Sequence, residues 1–294
     1  MFQDRALEDI AAVFPYSNDF SNRKLAFDAT TTMTRVLSYQ LKMPFRAASE
    51  YHLDALEDLP AKLIVLPSAH NIDDQAWNKL IRIVRNTGAT LLATGPISLD
   101  AYWKQVPRLA AELGEAELQN VRREEMLIVQ GAALPVSFGG RRIAELLKEV
   151  RGGSGEAVAG PGHNRSGDAV VDIPLGNGRL LWCPLPVELN ERTDTVAELY
   201  RYAIDAARCE SGMKWIQGGE IAGVYGRKLR FKDGFLYVFV SEFGWNVNIE
   251  VKDTDTEATY AFTLEKERSV LFAADTAGRL ISVYRPEEVQ IERS

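Results

Sequence analysis

The 294 residues hold only two cysteines, Cys183 and Cys209, and three histidines, His52, His70 and His163. Two scattered cysteines exclude a disulfide framework, and with three histidines no metal-ligand spacing arises. No metal and no cofactor is therefore expected. Positive charge is also short. Lys and Arg total 34 against 41 Asp and Glu, giving a net charge of −7. Phosphate binding needs concentrated positive charge, so no nucleic-acid partner is expected. The adjacent pairs Arg122-Arg123 and Arg141-Arg142 have no interleaved aromatics and read as solvated faces. Long apolar runs are missing as well, so no bilayer span is expected. The opening Met-Phe-Gln-Asp-Arg has no basic stretch leading into an apolar one. The expectation is a chain without an export signal, in a reducing, cytoplasmic setting with no membrane partner.

What is present is a legible βαβ unit over residues 61–95. Leu63-Ile64-Val65-Leu66 is an unbroken apolar run closed by Pro67, which suits a strand buried on both faces. Asp73 and Asp74 supply a helix N-cap and an acidic first turn, and Trp77, Leu80, Ile81 and Val84 follow at helical spacing. Gly88 stands where a left-handed C-cap is expected, and residues 90–94 read as a second buried strand. Strand, helix and strand in this order form a right-handed parallel unit.

The flanking sequence extends this pattern. Residues 11–14 read as a first strand ending in the polar turn Pro15-Tyr16-Ser17-Asn18-Asp19. A helix is expected over 23–41, a strand over 45–48 and an acidic connector over 54–58. Beyond Thr94, a helix broken by Pro107 is expected over 99–113, a strand over 126–129 and a short helix over 143–150. Residues 152–167 contain six glycines and read as a flexible loop. A hairpin about Leu-Gly-Asn-Gly joins strands at 169–174 and 179–183, and a helix follows over 193–208. Composition changes near Gly212. Alternating strands then dominate, with a strong hairpin signal around Lys232-Asp233-Gly234. Two domains are expected, 1–211 with an irregular insertion about 96–177, and 212–294 as a small antiparallel sandwich or barrel.

In a doubly wound sheet, ligands bind outside the carboxyl ends of the strands. The groups placed there are Ser17, Asn18 and Asp19 after the first strand, Ser68 and His70 after the third, and Thr94 after the fourth. These types also cap helices and turns. A nucleophile elbow after the fourth strand would need a cysteine or serine, whereas the chain has Ala93-Thr94-Gly95-Pro96. Cys183, before Pro184 in an apolar strand, reads as core. Asn190-Glu191 and Ser241-Glu242 suggest the paired carboxylates of retaining glycosidases. They lie too close in sequence to sit on separate strands of a barrel. Gly152-Gly153-Ser154-Gly155 lacks the lysine of a phosphate cradle. Trp215, Tyr225, Tyr237 and Trp245 suggest a sugar-stacking platform, although aromatics at strand spacing are commonly core.

Three pieces carry a family resemblance: Lys62-Leu63-Ile64-Val65-Leu66-Pro67, the stretch Ile83 to Leu91 through Thr87-Gly88-Ala89-Thr90, and Gly178-Arg179-Leu180-Leu181 before Pro186-Val187-Glu188. Their order resembles the region after the catalytic barrel in family 42 and related β-galactosidase-like glycoside hydrolases. The resemblance covers roughly residues 11–100 and 178–290. It implies a flavodoxin-like α/β domain, similar to class I glutamine amidotransferases without their nucleophile, followed by a small β domain. It implies further copies as partners, in a trimer or dimer, or an attached catalytic barrel. It adds Glu188 to the strand-end pocket of Ser17, Asn18, Asp19, Ser68, His70 and Thr94. No catalytic residue is expected in the chain itself. Three functions follow as expectations: a non-catalytic accessory region of a glycoside hydrolase, a free-standing small-molecule or carbohydrate-binding module, or an amidotransferase-like hydrolase using Cys183 or a serine.

Overall fold

The computed structural model describes residues 8–20, 25–110, 116–141, 146–151, 168–285 and 287–294. Its contacts divide the chain into two units, one of residues 10–34 and 46–209, the other of residues 1–9, 35–45 and 210–294. Together they form a mixed α/β chain with one mostly parallel sheet and several antiparallel sheets. Among the described residues no helix is long and apolar enough to cross a membrane.

The first unit is built on β1 (Ile10–Phe14), β2 (Phe45–Ser49), β3 (Leu63–Leu66) and β4 (Thr90–Thr94). A 3-10 turn, Tyr16–Phe20, follows β1, and helix α1 spans Leu25–Arg35. Residues 54–58, expected as a connector, form the short helix α2 (Asp54–Asp58), which packs on α3 (Asp74–Thr87). Asp73 caps α3 by accepting from the amides of Gln75 at 2.9 Å and Ala76 at 3.1 Å. Gly88 closes it at φ +79°. All four residues of β3 are fully buried, because it lies between two parallel neighbours with both faces covered.

The intervening strands β5 (Ala116–Asn120), β6 (Glu124–Val129), β7 (Ala132–Ser137), β8 (Leu147–Arg151) and β9 (Asp168–Ala169) form two small sheets, β5-β8 and β7-β6-β9. Strands β10 (Val171–Leu175) and β11 (Gly178–Cys183) are the expected hairpin. They return the chain to the main sheet, whose order is β10-β11-β4-β3-β1-β2. Gly178 has no room for a side chain, since a Cβ would lie 2.3 Å from the Ala89 carbonyl oxygen. Helix α4 (Thr193–Ala207) then packs on β4 and β3.

Two helix expectations fail. Residues 99–109 form turns, because the Asp100 carboxylate accepts from the amides of Tyr102 at 2.8 Å and Lys104 at 2.9 Å and Pro107 offers no donor. Residues 147–151 pair in register with β5 instead of coiling, so tertiary pairing overrides the helical pattern. Residues 143–145, 111–113 and the glycine-rich 152–167 lie outside the described residues.

In the second unit, β12 (Met213–Gln217), β13 (Val224–Phe231), β14 (Gly234–Ser241), β15 (Val247–Asp253), β16 (Thr259–Leu264), β17 (Ser269–Asp275), β18 (Leu280–Val283) and β19 (Glu292–Arg293) form two four-stranded sheets. Their orders are β12-β15-β16-β19 and β13-β14-β17-β18, with antiparallel pairing. Tyr237, Phe239 and Phe272 from one sheet share a core with Ile249, Tyr260 and Phe262 from the other. Tyr237 is thus fully buried, and Trp215 packs edge-on against Phe239, so the four aromatics proposed as a platform do not form one. Trp245 is 62% exposed and rests on Phe243.

The π-helical turn Val36–Gln40 and the residues after it belong to this unit. Lys42 is buried there, and its ammonium donates to the carbonyls of Tyr39, Ile221 and Val224 at 2.6–2.7 Å. Burial brings Lys42 down to about 8.

Candidate functional site

The carboxyl ends of β1, β3 and β4 deliver Ser17, Asn18, Ser68, His70 and Thr94 to one region, and each is at most 1% exposed. Asp19 stands apart on the surface. Glu188 enters from the short 3-10 turn Val187–Leu189, directly after β11, and is fully buried. It is the hub. Its Oε2 accepts from the Ser68 amide at 3.0 Å, the Ser68 hydroxyl at 2.6 Å and the Thr94 hydroxyl at 2.5 Å. Its Oε1 accepts from the Tyr200 hydroxyl at 2.7 Å, and Tyr200 lies on α4.

Ser68 makes this possible by adopting φ +41°, an unusual backbone state for a residue with a side chain. Both of its donors then reach the same carboxylate oxygen. Burial pushes the Glu188 carboxyl above the usual range, against the opposing effect of its hydrogen bonds to Ser68, Thr94 and Tyr200. The Tyr200 phenol is driven well up by the same burial and by its carboxyl partner. Among the described residues no cation forms an ion pair with Glu188, so neutral donors alone face the carboxyl.

Asn18 closes the crevice between β1 and β3. Its amide donates to the Ser68 carbonyl at 3.1 Å, and its oxygen accepts from the Asn71 amide at 2.6 Å. This is the position, between adjacent strands with connections running opposite ways, where a doubly wound sheet opens to a ligand. Here one asparagine spans it. His70 turns Nδ1 to the Ser68 carbonyl at 3.1 Å, while Nε2 accepts from the Leu147 amide at 3.4 Å. Ser17 is held by Glu50, whose Oε1 takes both its amide and its hydroxyl at 2.6 Å. Glu50 is itself 2% exposed and shifted up by burial.

Three members of this network escape sequence reasoning: Tyr200, Glu50 and Asn71. Tyr200 reads as one of the apolar positions on α4, yet a buried tyrosine signals that its hydroxyl needs a partner. Glu50 and Asn71 carry no comparable mark. Thr94-Gly95-Pro96 occupies the elbow after β4, and Gly95 is needed there, with φ +87° and a Cβ position 3.0 Å from the Ala69 carbonyl. Cys183 is buried, with Sγ 3.5 Å from the Leu185 carbonyl. Among the described residues no three His, Cys, Asp or Glu side chains gather as a metal site.

The second unit buries charges in a different way. Lys228 meets Asp253 at 2.5 Å and Asp255 at 2.6 Å. Asp253 is fully buried and also accepts from the Tyr237 hydroxyl at 2.5 Å and from the amides of Asp255 and Thr256 at 2.8 Å. Glu242, raised above as a carboxylate of interest, is exposed and accepts from the Tyr39 hydroxyl at 2.8 Å. Glu191 is exposed as well.

No family model and no curated protein matches the sequence. Solved structures do match the fold. Gan42B, a GH42 β-galactosidase from G. stearothermophilus, aligns with a TM-score of 0.66 at 12% identity, over 92% of this chain and 41% of its own. A β-galactosidase from Bacillus circulans sp. alkalophilus aligns at 0.64 and 11% identity, over 91% of this chain and 41% of its own. The exo-carrageenase GH42 of Bacteroides ovatus aligns at 0.51 and 8% identity, over 92% of this chain and 29% of its own. The chain therefore spans about two fifths of the β-galactosidases it matches, and it has the fold of part of a GH42 enzyme.

Proposed function

We propose that this chain is a non-catalytic accessory region of a glycoside hydrolase, which assembles subunits or shapes a neighbouring catalytic barrel instead of cleaving bonds. The observation that carries the reading is that nearly the whole chain, 92%, aligns to only 41% of a GH42 β-galactosidase. The strand-end geometry supports it from within. Ser68, Thr94 and Tyr200 point their hydroxyls at a buried carboxyl, and Asn18 bridges the crevice beside them.

In finer detail we read the parallel-sheet unit as flavodoxin-like, of the class I glutamine amidotransferase kind. The run β2-β1-β3-β4-β11 follows the order 2-1-3-4-5 of that arrangement, with Thr94 and Gly95 at the elbow. We read the chain as two domains with their main boundary near residue 211, the second a small antiparallel sandwich that also takes in residues 35–45. Further copies of the chain, in a trimer or dimer, or a barrel on the same or another polypeptide are the partners this role requires.

The test is hydrolysis. Purified chain incubated with a panel of aryl glycosides, aryl β-D-galactoside included, is expected to release no more phenol than a protein-free blank. Turnover at enzymatic rates that co-purifies with the chain would sink the proposal.

A further inference from the structure

The hairpin that returns the chain to the main sheet turns on Leu175-Gly176-Asn177-Gly178, the one Asn-Gly step in the sequence. After an asparagine, a glycine leaves the next backbone nitrogen unshielded by any side chain and free to approach the asparagine amide carbon. Gly176 opens the turn at φ +59°, and Asn177 is exposed on it. The Asn177 side chain donates to the Asn86 carbonyl at 3.5 Å, long for a hydrogen bond, so its amide is held loosely.

The backbone around it is held closely. The Asn177 amide donates to the Arg85 carbonyl at 3.0 Å, and the Arg179 amide donates to the Ala89 carbonyl at 3.2 Å. A Cβ on Gly176 would lie 2.9 Å from the Arg85 carbonyl oxygen, and one on Gly178 would lie 2.6 Å from that of Val84. The turn is thus latched to the end of α3 with no slack for a longer backbone. Gly178 also pairs with Leu175 across the turn, so its nitrogen becomes available when the turn frays.

We propose that Asn177 is a site of spontaneous conversion to aspartate and isoaspartate, and that the isoaspartate form unlatches the β10-β11 hairpin from α3. In the first step the Gly178 backbone nitrogen bonds to Asn177 Cγ and the Cγ–Nδ2 bond breaks. Ammonia leaves, taking up the Gly178 amide proton, and a cyclic imide remains. Water then opens the ring. Opening at Cγ gives aspartate, and opening at the main-chain carbonyl gives isoaspartate. In isoaspartate the chain runs through Cβ and Cγ, which lengthens the backbone just where Gly178 has no room. Both products also place a carboxylate at the C-terminal, negative end of the α3 dipole. The site is independent of the accessory role proposed above, and it stands or falls alone.

The test is to age the full chain in mildly alkaline buffer at physiological temperature and map its peptides by mass spectrometry. Isoaspartate is scored with a protein isoaspartyl methyltransferase. Asn177 is expected to convert several-fold faster than Asn86, Asn246 and Asn248, exposed asparagines followed by the β-branched Thr87, Val247 and Ile249. Asn177→Gln, whose longer side chain must close a larger ring, should abolish conversion at that position. In the isoaspartate fraction the Arg179 amide should exchange with deuterium faster than in fresh chain. Asn177→Asp, which carries the charge without the longer backbone, should keep the protection of fresh chain. Conversion no faster than at the three reference asparagines overturns the site. Unchanged exchange at Arg179 in the isoaspartate fraction overturns the unlatching, as does an equal loss of protection in Asn177→Asp.

Discussion

Among the described residues, Glu188 and Asp253 are completely buried carboxyls that are treated oppositely. Asp253 in the β unit meets a lysine, Lys228, which also pairs with the partly exposed Asp255. Glu188 in the parallel-sheet unit meets two hydroxyl groups, a hydroxyl and amide from one serine and no cation among the described residues. The first arrangement balances charge and is sensitive to loss of a partner. The second balances hydrogen bonds, and burial raises its carboxyl against them. The lesson is that hydroxyl and amide donors alone do not offset the desolvation of Glu188. The raised Glu188 carboxyl should give the parallel-sheet unit a pH dependence.

The comparison is broken most forcefully at Asp253. Asp253→Ala strands Lys228 with a half-exposed partner and removes the acceptor of Tyr237. It should destabilise the β unit by about 4 kcal/mol, the range for breaking a buried pair, in urea unfolding followed by tryptophan fluorescence. Because the chain divides into two compact units, the transition is to be assigned with a second probe. Next comes Glu188→Ala, which leaves the donors of Ser68, Thr94 and Tyr200 without an acceptor. A loss of about 3 kcal/mol is expected in the parallel-sheet unit.

Glu188→Gln sharpens the contrast with a smaller change. An amide oxygen can replace Oε2 while its NH2 faces a reoriented Tyr200 hydroxyl, so the cost should stay near 1 kcal/mol at low pH. The effect on pH dependence is the diagnostic one. A carboxyl raised in the folded state contributes stability that is fully present below its unfolded value of 4.5 and lost as pH rises through the folded value. Wild-type stability should decline across that window, and Glu188→Gln should flatten the decline. Chemical unfolding at a series of pH values reads both. An unchanged slope would place the titration elsewhere.

Asn18→Ala should cost about 2 kcal/mol by leaving the buried Asn71 amide without its acceptor, in the same urea assay. Trp245→Ala, at an exposed position resting on Phe243, is the smallest of the series, within about 0.5 kcal/mol. A loss comparable to Asp253→Ala would mean that the exposed indole holds the β unit.

Regular elements were legible where period and punctuation agreed. The run 63–66, the Asp73 cap and Gly88 defined β3 and α3, and the turn at Asp233-Gly234 marked its hairpin. Reading failed where side chains competed with the backbone, as at Asp100, or where a distant strand claimed the segment, as β5 does for β8. The strand-end residues were found because topology places them there whatever they do. Their organisation was not, since it depends on a positive φ at Ser68 and on a tyrosine hydroxyl from a helix far along the chain. Neither leaves a local trace. The pairing of residues 35–45 with the C-terminal strands is equally invisible, because Lys42 reaches carbonyls at Ile221 and Val224 that carry no side-chain signature.

The most direct test of the closed strand end is hydrogen–deuterium exchange of residues 68–71, with and without a panel of sugars. The amides of Ser68, Ala69 and Asn71 each donate to a buried acceptor, so they should exchange slowly and be unmoved by any sugar. Rapid exchange, or protection that appears only with a sugar, would show an open, ligand-responsive site and contradict the account.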